Sequence, residues 1–162
     1  MSNANDVLAN SLSASKAMLN RLCSDLTPAE YLHRPCAVAN CAAWIVGHLV
    51  MTERMSLTRV GVQDQPALPE GFEKRFSREP DAPKAADFGD VSILLPLFNL
   101  HRDRLIEAVK ALPQEIVDRP LEKPHPFFST VGEAINFMGI HTSMHSGQIS
   151  MIRRTLGRAP LI

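Results

Sequence analysis

An all-α fold is what this sequence predicts, a four-helix bundle in up-down-down-up order with a long crossover between helices two and three. Three observations carry the prediction. Four segments repeat apolar residues at helical spacing. A proline- and glycine-punctuated stretch from Gly61 to Asp90 separates the middle two. No run shows the alternation of a strand. At 162 residues and 45% hydrophobic, the chain has the size of a single domain, residues 1–162, with a proper core.

The first helix is expected from about Asp6 to Cys23. Leu8, Leu12, Leu19 and Leu22 form its stripe, widened by Val7 and Met18. Thr27-Pro28-Ala29-Glu30 restarts a short turn, with Thr27 as cap and Pro28 at the first helical position. Arg34-Pro35 ends it, because the residue before proline is pushed out of the helical region. Asn40 is the expected cap of the second helix, Cys41 to about Val60, with Trp44, Ile45, His48, Leu49, Met51 and Met55 on its inner side.

A connection of about 30 residues is far longer than an antiparallel helix pair needs. It reads as a crossover running the length of the bundle, so helices two and three should be parallel. Asp90 is the expected cap of the third helix, Val91 to Leu112, whose stripe is Leu94, Phe98, His101, Leu105, Val109 and Leu112. Leu121 to Ser129 reads as a loop, with prolines on both sides of His125 and the pair Phe127-Phe128. The fourth helix opens at Thr130 with a capping box completed by Glu133. It closes at Gly157, with Arg153 and Arg154 in its last turn. Its stripe is Ala134, Met138, His141, His145, Ile149, Ile152 and Leu156.

Charge and cysteine usage bound the function. Formal net charge is zero, so no basic excess marks a nucleic-acid or anionic-membrane partner. Cys23, Cys36 and Cys41 are odd in number and form no CxxC, so reduced thiols in the cytoplasm are the expectation. No signal peptide is visible at the N-terminus. The most apolar run, Cys36 to Met51, is too short to span a bilayer. There is no phosphate loop, no nucleophile elbow and no Glu-x-x-His pairing for a di-iron centre.

What stands out is histidine where leucine belongs. His141 and His145 are one turn apart, about 6 Å along the helix axis. That spacing lets two imidazoles hold one metal ion. His48, from another helix, can complete a three-histidine face for zinc, nickel, copper or iron. Three protein ligands leave a position for water or substrate; bound water is acidified and a bound thiol is held as thiolate. The other reading of each residue is a hydrogen-bonded core histidine. His101 is placed as core or beside the site, Gln148 as a donor to a ligand or a polar cap on the core, and Trp44 as packing or a pocket wall. Met51, Met55 and Met138 read as core filler. Acidic residues fall mostly in loops and at helix ends, and His33 and His125 in solvated loops.

Asn40-x-x-x-Trp44-Ile45-Val46-Gly47-His48-Leu49 resembles the second-helix motif of the DinB-like (DinB/YfiT) metalloenzymes. His141-x-x-x-His145-Ser146-Gly147-Gln148-Ile149, followed by Arg153, Arg154 and Gly157, resembles their fourth-helix motif. The resemblance covers nearly the whole chain. It implies an up-down-down-up bundle, a zinc or nickel ion on His48, His141 and His145, and a homodimer. It also implies a small-molecule substrate, with a low-molecular-weight thiol as co-substrate in the thiol-transferase members. A metal-dependent hydrolase and a non-catalytic, stress-related binding bundle are the alternatives it leaves. The family name carries no implication of DNA binding.

Overall fold

The computed structural model describes residues 3–76 and 85–161. Those residues are mostly helical: α1 (Ala4–Cys23), α2 (Pro28–Tyr31), α3 (Ala42–Arg59), α4 (Phe72–Arg75), α5 (Leu94–Lys110), α6 (Gln114–Val117) and α7 (Val131–Thr155). Two 3₁₀ turns, Ala85–Phe88 and Val91–Ile93, precede α5. Each of the four long helices packs against two others: α1 on α5 and α7, α3 on α5 and α7. None of the helices is long and apolar enough to cross a membrane among the described residues.

Caps that depend on a local sequence signal form as expected. Thr27 with Glu30 and Thr130 with Glu133 both close capping boxes. Gly157 ends α7 at a φ of 77°. Asn3 adds a third box with Asp6, which starts α1 two residues ahead of the expected Asp6. Helix α3 instead begins one residue later than expected. Its cap position is the buried Cys41 rather than Asn40, and no side chain caps it. Asp90 caps the 3₁₀ turn through Ser92 N at 2.9 Å, and α5 proper starts at Leu94 with Pro96 tolerated in its first turn.

Two parts of the chain depart from the expected loops. The connection after α3 is more than a strap. Phe72, Phe76 and Phe88 are buried in the same core cluster as Leu49 and Phe98. Phe76 lies against the backbone of α3 at Gly47, where a Cβ would be 2.2 Å from its ring. Residues 77–84 of the expected crossover lie outside the described residues. The segment expected as a loop from Leu121 to Ser129 is an antiparallel hairpin, β1 (Pro120–His125) and β2 (Phe128–Thr130). Two strands leave both edges open, so proline costs no ladder bond there.

The stripe of α3 is also rotated from the expected one. Met55 is 59% exposed, while Val46, Val50, Glu53, Ser56 and Leu57 face inward. The stripe of α5, by contrast, is buried at every expected position from Leu94 to Leu112.

The core has two apolar clusters, one around Leu19, Ile45, Phe76, Phe98 and Ile152, the other around Leu12, Leu57, Leu105 and Ile135. Between them sits Arg102, fully buried. Its guanidinium donates to Glu53 Oε2 at 2.8 Å and Oε1 at 2.6 Å, to Ser15 Oγ at 2.8 Å, to the Leu12 carbonyl at 3.0 Å and to Thr142 Oγ1 at 2.7 Å. All five of its N–H groups are used, and one residue ties α1, α3, α5 and α7 together. Glu53 is equally buried, an exception to the expectation that acidic residues lie mostly in loops and at helix ends.

Near the opposite end of the α1–α7 contact, Arg153 is 4% exposed and donates to the Leu22 carbonyl at 3.0 Å and to Asp25. It is thus more than a helix-end charge. Burial pushes the Cys23 thiol up to about 12, so it packs as a neutral side chain. Only Cys36 of the three cysteines is exposed.

Candidate metal centre

Helix α3 supplies His48 and helix α7 supplies His141 and His145. One nitrogen from each ring lies within 4.8 Å of the others, and these are the residues the stripes singled out. His48 and His141 are buried and His145 is half-buried. The three rings meet edge to face: His48 is 5.3 Å from each of the other two, and His141 to His145 is 4.5 Å, centroid to centroid.

The Nε2 atoms of His141 and His145 are 3.1 Å apart. Two nitrogens bound to one zinc at ordinary bond lengths are separated by about 2.9 Å at a right angle and about 3.3 Å at the tetrahedral angle. The observed separation lies between these and is compatible with a shared ion. The donor set, three imidazoles with no carboxylate or thiolate in the cluster, suits zinc and nickel.

Two neighbours set ring orientation. Gln148 Oε1 accepts from His145 Nδ1 at 2.8 Å. A proton held on Nδ1 leaves the Nε2 lone pair of that ring available, the usual way an outer partner selects a ligand tautomer. Trp44 stacks on His48, centroids 4.8 Å apart and planes 6° from parallel. The indole fixes the plane of the imidazole one turn further along α3. Trp44 and Gln148 are therefore in contact with the cluster, Gln148 as an acceptor rather than the expected donor.

His101 is not. It is fully buried on α5, with Nδ1 donating to the Leu97 carbonyl at 2.8 Å. Burial holds its pKa below the usual imidazole value, with Arg54, Glu53 and Arg104 as its charged surroundings. His33 bonds Thr155 Oγ1 at 3.0 Å, and His125 stacks on Phe128 with centroids 3.7 Å apart.

An aromatic wall beside the cluster was not foreseen. Phe137 lies one turn before His141 and stacks on it at 6.0 Å. The hairpin adds Phe127 at 5.6 Å and Phe128 at 5.3 Å from Phe137. The Phe127-Phe128 pair was the available signal, but it gains meaning only once the hairpin folds back onto α7.

Local architecture holds α7 in place for this. At Gly139 a Cβ would be 2.5 Å from Ser11 Oγ, so the missing side chain allows α1 to approach α7 two residues before His141. Thr142, next to His141, is fastened to Arg102.

A family model for the DinB superfamily matches residues 11–149, a span that includes all three histidines. No curated protein matches the chain.

Proposed function

The chain belongs to the DinB superfamily, and on that premise we propose that it is a divalent-metal enzyme of thiol-transferase type. The observation that carries the reading is the convergence of His48, His141 and His145 within 4.8 Å. These three are its ligands for zinc or nickel, with a fourth position left for a small molecule. When bound, the ion supplies Lewis-acid charge that favours a deprotonated ligand near neutral pH.

The chain's own residues do the positioning. Gln148 keeps the His145 proton on Nδ1, and Trp44 holds the His48 plane. Phe137 and the hairpin phenylalanines cover one side and limit water. Transfer forms a bond from the thiol's sulfur to an electrophilic carbon and breaks that carbon's bond to its leaving group. The leaving group departs with the electron pair, and the thiol proton passes to solvent. Hydrolysis by the same ion is the second reading, since the same Lewis acid activates water.

The finer architecture belongs to the same reading: a single domain, residues 1–162, connected up-down-down-up. Asn20 pairs with Asn99, and Lys16 with Asp103, which supports antiparallel α1 and α5. The Ser11–Gly139 and Leu22–Arg153 contacts support parallel α1 and α7. The reading includes a cytoplasmic location and a homodimer. An exposed apolar stripe of Ile140, Met144 and Met151 on α7 supports the dimer; sedimentation equilibrium tests it.

Elemental analysis of protein purified without a metal-affinity tag tests the site. Stoichiometric zinc or nickel is expected in the wild type and none in His141→Ala; retained stoichiometric metal in the variant sinks the assignment. Consumption of an electrophile only when a low-molecular-weight thiol is present separates transfer from hydrolysis.

A further inference from the structure

A cavity of about 800 Å³ lies away from the histidines. It lies between the end of α3, the chain entering β1 and the start of α7. Met55, Arg59, Arg119, Lys123 and Val131 line it, with Glu122 as its one carboxylate. Three cations therefore face one anion. Among the described residues none of the three forms an ion pair, although Arg102, Arg104, Arg153 and Arg158 all do.

Arg59 is the informative member. Its guanidinium carbon sits 5.7 Å from the centre of the Phe128 ring, which positions the group and covers one face. Partial burial lowers its pKa, as expected for a cation withdrawn from water with no carboxylate to compensate. Arg119 donates to the Arg59 carbonyl at 2.8 Å. That bond satisfies one of the last carbonyls of α3 and offsets part of the helix end's negative charge.

The cleft and the histidines are linked by touching rings. Arg59 lies over Phe128, Phe128 meets Phe137 at 5.3 Å, and Phe137 meets His141 at 6.0 Å. Met55 is two turns beyond His48 on α3, and Val131 nearly three turns before His141 on α7. At the helical rise these offsets are about 10 to 15 Å.

We propose that this cleft is an oxyanion subsite, in which Arg59 and Lys123 hold the carboxylate or phosphate end of an extended small molecule whose apolar middle lies over the exposed Met55. The reacting end then reaches the histidine cluster. The span rests on the metal-enzyme reading above; the subsite itself does not. The side chains assign the charge of the ligand, its approximate length and the apolar character of its centre.

The test uses the metal-free protein, so that it stands whether or not the histidines bind an ion. The ¹H–¹⁵N spectrum is followed during titration with 4-phenylbutyrate, with its phosphonate analogue and with its uncharged amide. Shifts centred on Arg59, Lys123 and Val131, with either anion binding at least tenfold more tightly than the amide, are the expected result. The better of the two anions identifies the headgroup. Lys123→Gln lies on an open strand and should fold normally; Arg59→Gln is checked by thermal unfolding. Each should remove most of the preference for the anion over the amide. Equal binding of anion and amide, shifts centred elsewhere, or an undiminished preference in folded Lys123→Gln and Arg59→Gln would overturn the proposal. Failure of the metal assignment would show only in elemental analysis and leave these titrations unchanged.

Discussion

Two polar clusters are built into the same apolar bundle, and they are finished differently. Arg102 spends every N–H on an oxygen of α1, α3 or α7, and the Glu53 carboxylate answers it in a bidentate pair. The three histidines instead gather nitrogens around one point and are shaped from outside by Gln148 and Trp44. A buried charge with all its hydrogen bonds made acts as a joint. A set of lone-pair donors aimed inward acts as a receptor. The two are neighbours: Thr142 belongs to the joint and His141, beside it, to the receptor. Glu53 is five residues beyond His48.

The difference is open to attack from either side. Arg102→Ala leaves Glu53 buried without its cation, and a loss of about 3–5 kcal/mol in unfolding free energy is expected. Chemical denaturation reads it. Arg102→Met with Glu53→Leu should recover much of that loss, since an apolar pair of similar volume often replaces a buried ion pair at little cost. No recovery in the double variant would mean that the joint is more than a satisfied charge.

Gln148→Ala is the matching cut on the other cluster. It should weaken metal binding about 10- to 100-fold while moving metal-free stability little. Competition against a chromophoric chelator gives the affinity, and a variant that unfolds early but binds normally would reverse the two roles.

His101 separates burial from function. Its depressed pKa keeps the ring neutral in the fold. The unfolded chain therefore takes up a proton first as pH falls through about 6.5, and stability declines from there until the folded-state pKa is reached. His101→Leu should flatten that part of the stability profile without changing metal content. Any loss of metal would bring His101 into the site.

The smallest effect is expected at the acid pair, exposed Asp25 and half-buried Glu30, joining α1 and α2 to the C-terminal end. Hydrogen bonds from Arg158 lower Glu30 to about 2, and those from Arg153 lower Asp25. Both shifts are downward, so the stabilisation is complete above about pH 5 and is lost as pH falls towards 2. Solvent screening keeps it modest. Fraying of residues 25–32 in hydrogen exchange at pH 3, ahead of the core, is the expected signature.

Legibility in the sequence followed the range of the interaction. Thr27, Thr130 and Gly157 act on their own helix ends, and their caps could be read directly. His48, His141 and His145 could be read because imidazole on a core stripe violates the pattern. Arg102 and Glu53 violate it as well, on stripes shared with Phe98 and Leu49. They went unread because charge defaults to the surface, and each has its partner 49 residues away. The hairpin hid behind its prolines, which an edge strand tolerates. Phe72, Phe76 and Phe88 have no period of their own, so only the groove on α3 reveals them.

Arg102 also bears on how the chain assembles. Its acceptors come from residues 12, 15, 53 and 142, so no pair of helices can satisfy it alone. A half-built bundle, or one threaded in another order, would strand a cation in oil. That penalty discourages partial structures and favours all-or-none assembly in one step. The same guanidinium that fastens the finished protein thereby serves as its proofreader during folding.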